Sequence, residues 1–190
     1  MKHSLTTLIL GTLLGLYMPA QALTLHDMEF PEQLKATADS PELFLRGAAV
    51  RRVYGMVDTY VGLLYTADNN LSHDELISAD KARRMVFHVT SSRVSARRFI
   101  NAIEEGLALN ISEEDMQAIA PRVQELTQLF NHRFVEGTVG SIEWVPAAQH
   151  SRIVIDGEVR GTVPGKDLND ALLKIWIGER PVSERFKREV

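Results

Sequence analysis

Two adjacent arginines, Arg51 and Arg52, interrupt a stretch of small and apolar residues that begins Gly47-Ala-Ala-Val50 and continues as Val53-Tyr-Gly-Met-Val-Asp58-Thr-Tyr60-Val-Gly-Leu-Leu-Tyr65. Its β-branched and aromatic content, punctuated near Gly55, predicts a pair of strands. Successive strand residues point to opposite faces, so one of the two guanidiniums is directed toward the face that carries other side chains. A guanidinium there needs an anionic or hydrogen-bonding partner, because burying it unpaired is costly. That partner is either an acid of the chain, in a structural ion pair, or the anionic group of a ligand. Simple exposure is the third possibility, and the residues alone do not choose.

Other chemistries leave weaker traces. The six histidines, at 3, 26, 73, 88, 132 and 150, include no two that lie three to five residues apart, the spacing that sets two imidazoles on one helical face for zinc. His88, within an apolar strand-like run, reads as a hydrogen-bonded core or edge residue. Cysteine is absent, which excludes thiol catalysis and Cys-ligated metal. No nucleophile elbow, Walker loop or dinucleotide-binding glycine motif follows a strand. The basic clusters Lys81-Ala-Arg83-Arg84 and Arg93 to Arg98 lie beside acids without an aromatic stacking platform, and read as solvated faces rather than a nucleic-acid site.

The elements that would position Arg51 follow from periodicity. On the second strand of the pair, a period of two places Met56, Asp58, Tyr60 and Leu64 on one face and Val57, Thr59, Val61 and Leu63 on the other. The second face is the more apolar and is the expected core face. Before this pair, Leu23 to Phe30 and Leu43 to Leu45 are short β-like pieces; after it come a loop with a short helix over 69–80 and a strand over 84–89. From Val94 the period changes. Phe99, Ile100, Ile103 and Leu107 recur every three or four residues, which predicts an amphipathic helix ending near Asn110. Ser112 opens a second helix with acids in its first turn, striped by Met116, Ile119, Val123, Leu126 and Phe130; Pro121 is expected to kink it or divide it at Ala120. Strands return at 141–145, 152–155 and 158–163, the last two joined by Asp156-Gly157, a hairpin signal. A third helix through Leu168, Ala171, Leu172, Ile175 and Trp176 stops at Gly178, and Pro181 is expected to start a final one. Strands joined by hairpins around a helical middle predict an α+β domain, a large antiparallel sheet with a layer of helices on one face.

The beginning of the chain has its own pattern. Lys2, the apolar run over 5–16 and the small-residue site ending Ala20-Gln21-Ala22 match a cleavable secretory signal peptide over 1–22, too short to span a bilayer. Cleavage after Ala22 leaves one domain over 23–190, and the loss of one lysine and no acid takes the net charge from −4 to −5. A surface of that sign disfavours nucleic acid and anionic lipid. The expected address is a periplasm, where a cysteine-free domain stands on its apolar core alone.

The segments Leu45-Arg-Gly47-Ala-Ala-Val-Arg51, Val61-Gly-Leu-Leu-Tyr65 and Gly165-Lys-Asp-Leu-Asn-Asp-Ala-Leu-Leu-Lys-Ile-Trp-Ile-Gly178-Glu-Arg-Pro-Val182 resemble the chalcone isomerase-like superfamily, in its bacterial exported branch. The resemblance runs from about Leu25 to the C-terminus. It implies an open-faced β-sandwich: a large antiparallel sheet, a helical layer and a cleft between them. It also implies one of two functions, ring closure of a chalcone by addition of a phenolate to an enone, or fatty-acid binding without catalysis. By resemblance Arg51 faces the cleft, where it can hold a carboxylate or stabilise an enolate. Tyr60 stands at the position of the plant enzymes' cleft threonine, Phe99 at that of the catalytic tyrosine, Ala102 and Gly106 at those of a lysine and an asparagine, and Ile175 at that of a late threonine or serine.

With the arginine kept and most polar partners lost, enolate stabilisation and proton transfer lose their donors. The expected function is therefore non-catalytic binding of a small amphipathic carboxylate, such as a fatty acid, by Arg51, Tyr60, Phe99 and Ile175. No cofactor, metal, nucleic acid or stable membrane insertion is expected, and no protein partner is indicated. The alternatives are an intramolecular lyase acting on an enone, with Arg51 as its catalytic residue, and a structural or partner-binding protein with a closed cleft.

Overall fold

The computed structural model describes residues 22–53, 57–131 and 133–190. Residues 1–21, all but the last of the expected signal peptide over 1–22, and the expected turn near Gly55, with Met56, lie outside the described residues. The chain opens with a small hairpin, β1 (Ala22–Leu25) and β2 (Met28–Pro31), turned over His26 and Asp27. It continues through β3 (Gln33–Leu34), β4 (Leu43–Val53), β5 (Val57–Thr66), α1 (His73–Ser78) and β6 (Arg83–Val89). Then come α2 (Ala96–Asn110), α3 (Glu113–Leu129), β7 (Val139–Val145), β8 (His150–Ile155), β9 (Glu158–Pro164), α4 (Lys166–Ile177) and α5 (Glu184–Glu189).

Strands β3 to β9 form one antiparallel sheet whose spatial order is their order in the sequence. Antiparallel neighbours can be joined by two residues, so no crossover helix is needed and helices enter as insertions. The tightest connection is β8 to β9, where Asp156 and Gly157 both take positive φ, as the sequence predicts for a primed turn. All five helices pack on one face, where Leu64, Met85, Phe87, Ile142 and Ile153 of the sheet meet Phe99, Ile103, Leu107, Leu126, Leu168, Leu172 and Phe186. The α+β architecture, with helices layered on a large antiparallel sheet, is the one the sequence implies. Among the described residues, no helix is long and apolar enough to cross a membrane.

Four expectations are corrected. On β5 the helix-facing residues are Tyr60 and Leu64, so the core is not confined to the expected face of Val61 and Leu63. The latter pair, with Tyr65, Val86, Leu43 and Phe30, forms a second buried cluster on the opposite face, against which Leu25 and Met28 of the small hairpin pack. Both faces of the strand are covered, so its apolar pattern could not tell one from the other. Helix α3 runs from Glu113 to Leu129 without division at Pro121. Pro121 and Gln117, one turn earlier, are both exposed, so the carbonyl that proline leaves unpaired faces water. The final helix starts at Glu184 rather than Pro181, because Ser183 supplies the cap, accepting from the Phe186 amide at 3.1 Å.

The fourth correction concerns Arg83, read from sequence as part of a solvated cluster. It is 3% exposed. Its guanidinium donates to the carbonyls of Leu76, Ile77 and Ala79 at the end of α1, to Asn169 Oδ1 at 2.8 Å, and to Asp170. Burial lowers its pKa, and the Asp170 carboxylate opposes that shift. Asp170 is held in turn by Lys166 Nζ at 2.6 Å, so the charge beneath α4 is compensated within the chain.

Candidate functional site

A cavity of about 490 Å³ lies between the β4–β5 end of the sheet, the first half of α2, the last residues of α4 and Val182. Its volume falls within the roughly 300–1,000 Å³ of small-molecule pockets. The floor is buried and apolar: Tyr60, Val94, Phe99, Ile103, Ile175 and Trp176 line it and are all under a tenth exposed. The rim is half-buried or exposed and includes Arg51, Val57, Thr59, Arg93, Arg98 and Ala102. The four residues singled out in the sequence, Arg51, Tyr60, Phe99 and Ile175, thus line one cavity.

A bulge arranges the β4–β5 wall. Arg51 is opposite Tyr60 and Arg52 opposite Asp58, which leaves Thr59 as the extra residue. Its hydroxyl donates to the Arg51 carbonyl oxygen at 2.9 Å and fixes the bulge to the neighbouring strand. The strict alternation expected for β5 is broken there: Val57, Thr59 and Tyr60 all line the cavity, and Asp58 turns away from it. Asp58 meets Arg52 Nε at 2.5 Å, and that guanidinium holds its carboxyl below the usual range. The adjacent arginines therefore divide. Arg52 is paired within the chain, whereas Arg51 enters the cavity wall, its guanidinium carbon 5.9 Å from the Tyr60 ring centroid, a cation–π distance.

The Tyr60 hydroxyl accepts a hydrogen bond from Trp176 Nε1 at 3.0 Å. Burial pushes its pKa up, against the opposing effects of the Arg51 charge and the Trp176 bond. Tyr60 is thus a neutral hydroxyl with a proton to donate, not a base. Phe99 belongs to an aromatic group with Phe87, Phe130 and Phe134, at centroid distances of 4.4, 5.2 and 5.4 Å, which fixes its ring as wall. Ile175 sits against Gly106 of α2, where an added Cβ would lie 2.7 Å from Ile175 Cγ2. Of the two small α2 residues noted in the sequence, Ala102 lines the cavity and Gly106 lets α4 approach.

Arg93 and Arg98, exposed as the sequence predicts, also stand on the cavity rim, with Arg98 Nη1 donating to the Arg93 carbonyl at 2.7 Å. A signal for Arg98 was present: it lies four residues before Ala102, on the same helical face. Nothing comparable marks Thr59, whose place depends on the bulge. Among the described residues, no Asp, Glu, His or Lys lines the cavity. The site can hold an anionic group at its rim and apolar matter on its floor, and its described lining residues include no group able to take up a proton near neutral pH.

An antiparallel sheet, a single helical layer and an amphipathic cavity between them define the class as an α+β sheet-and-helix-layer fold. Residues 22–190 match the family model described as chalcone isomerase-like, and the chain belongs to that family. No curated protein is significantly similar to it in sequence. Among solved structures it is similar to the crystal structure of a fatty-acid binding protein of Arabidopsis thaliana, at 17% identity and a TM-score of 0.69, over 89% of this chain and 95% of the other. At that identity, the likeness concerns the fold.

Proposed function

We propose that this protein is an exported, non-catalytic binder of a small amphipathic carboxylate, such as a fatty acid, from the bacterial exported branch of its family. The observation that carries the reading is the cavity itself: a buried apolar floor leading to Arg51, which has no carboxylate partner among the described residues. The carboxylate pairs with the Arg51 guanidinium, the Tyr60 hydroxyl donates to it, and the chain lies against Phe99 and Ile175. The fatty-acid binding named for the Arabidopsis protein of the same fold supports this assignment. An open cavity also disfavours a closed-cleft structural role.

The lyase reading rests on a specific feature, the convergence of Arg51 and Tyr60 on one cavity, where donors could meet a developing enolate. The described lining residues offer no base for the phenol proton, and that favours binding. Native mass spectrometry of the protein purified from its own host is expected to show one acyl-chain ligand per chain, and calorimetry a 1:1 titration with decanoate. Failure of any fatty acid to bind, together with chalcone cyclisation well above the buffer rate, overturns the assignment in favour of the lyase. Export rests on the leader pattern over 1–22. Sequencing of the secreted form is expected to begin at Leu23, and an intact apolar leader in a membrane fraction would refute it.

A further inference from the structure

The chain carries 21 basic and 25 acidic residues, a net charge of −4, yet among the described residues three arginines and no acid line this cavity. Several arginines elsewhere are matched by a carboxylate of the chain: Arg52 by Asp58, Arg83 by Asp170, Arg84 by Glu143, Arg122 by Asp167, and Arg152 by Glu143 and Asp39; others, such as Arg46 and Arg180, are not matched among the described residues, but they do not line this cavity. Arg51, Arg93 and Arg98 have no such carboxylate there. A single carboxylate, as in a fatty acid, brings one negative charge to a rim that carries three positive ones.

The start of α2 adds to the same imbalance. Its N-terminus lies at the rim, where Val94, Arg98 and Phe99 line the cavity, and its first turn contains no acid but does contain Arg97 and Arg98. The other four helices each begin with at least one acid in the first turn. Positive side chains oppose the partial positive charge of a helix start, and a bound anion relieves that opposition. Because the rim borders an apolar floor, the field of these charges is screened less than on an open surface.

We infer that the preferred ligand of this cavity is an alkyl chain whose head carries two negative charges, of the phosphate monoester type, with the head held jointly by Arg51, Arg93 and Arg98. This rests on the amphipathic-anion reading above and specifies the head group. A phosphate monoester bears about −1.5 to −2 charges near pH 7 and offers three acceptor oxygens, enough for several guanidinium forks at once. Arg51 is the inner contact because it is the least exposed of the three; Arg93 and Arg98 close on the outer oxygens.

Calorimetric titration with decyl phosphate and decanoate, both below their micelle concentrations, separates the two levels of the argument. Decyl phosphate is expected to bind about tenfold or more tightly than decanoate at low salt, the difference shrinking as ionic strength rises. Arg93→Gln/Arg98→Gln is expected to weaken both probes, decyl phosphate by the larger factor, so that most of the difference between them is lost. Because Arg98 bonds to the backbone of Arg93, Arg93→Gln alone is the control for folding, and it should lose part of the same difference. Equal or tighter binding of decanoate by the parent overturns the dianionic head and leaves the carboxylate reading standing. No binding of either probe overturns the reading on which the inference rests. Inorganic phosphate binding as tightly as decyl phosphate would overturn the role of the alkyl chain.

Discussion

Arg51 and Arg52 are neighbours in sequence with different work, and substitution distinguishes them. Arg51→Ala removes a charge-assisted contact of about 1.5–3 kcal/mol, so affinity for decanoate is expected to fall roughly ten- to a hundredfold by calorimetry. Arg51→Lys should recover only part of this, because an ammonium does not reproduce the planar fork. Thermal stability should be unchanged by either, since Arg51 holds no carboxylate of the chain. Arg52→Ala frees Asp58 on the opposite face and is expected to leave decanoate affinity as it was. Arg83 is the structural counterpart. Arg83→Met strands the carbonyls at the end of α1 and a partly buried Asp170, and should cost about 3–5 kcal/mol in chemical unfolding with the cavity's lining residues untouched.

At the scale of elements, the cavity depends on how closely α4 approaches α2. Gly106 is the point of contact, and it costs α2 about 1 kcal/mol in helix propensity relative to alanine. Gly106→Ala regains that amount but drives Cβ against Ile175, an overpacking cost of about 1–3 kcal/mol in a core where α2 and α4 cannot separate freely. The net expectation is a modest loss of thermal stability together with weaker decanoate binding, because Ile175 moves into the cavity it lines. Stability lost with unchanged binding would mean that the helices part instead. Most of these elements were legible in the sequence, since α2, α4 and the hairpin of β8 and β9 each carry a local signature of period, cap or turn. The bulge at Thr59 was not, because it is an accommodation between two strands that neither announces alone.

For the whole molecule, two sheet faces are sealed by different means, helices on one and the β1–β2 hairpin on the other, and pH reports on the second. His88 faces this hairpin, its ring 4.9 Å from Phe30, and burial lowers its pKa below the ordinary value of 6.5. The unfolded chain therefore takes up that proton first as pH falls. The stability contributed by neutral His88 is complete above about pH 6.5 and is lost as pH drops through the lower folded value. Unfolding by urea is expected to become easier over that window, and His88→Gln to flatten the slope. Tyr65, on the same face and donating to the Pro31 carbonyl at 2.9 Å, has its pKa pushed up by burial to about 12. Its contribution is intact below the ordinary tyrosine value of about 10 and is lost as pH rises from there to about 12. Tyr65→Phe should remove that alkaline loss while weakening the hairpin's attachment at neutral pH.

The sequence by itself determined the α+β class, the order of strands and helices and the candidacy of Arg51, because those follow from periodicity, turn chemistry and one charge set among apolar residues. It also marked Tyr60, Phe99 and Ile175, through resemblance to a family rather than through spacing. Only the tertiary structure decided which face of β5 meets the helices, since both faces are apolar and the sheet is covered twice. It alone separated the arginines, burying Arg83 against α1, pairing Arg52 with Asp58 and leaving Arg51, Arg93 and Arg98 around one cavity. A guanidinium is the same residue in all three settings. Its role is fixed by which carboxylates and carbonyls come within a few ångströms, whether they lie a few residues away, as Asp58 does from Arg52, or far along the chain, as Asp170 does from Arg83.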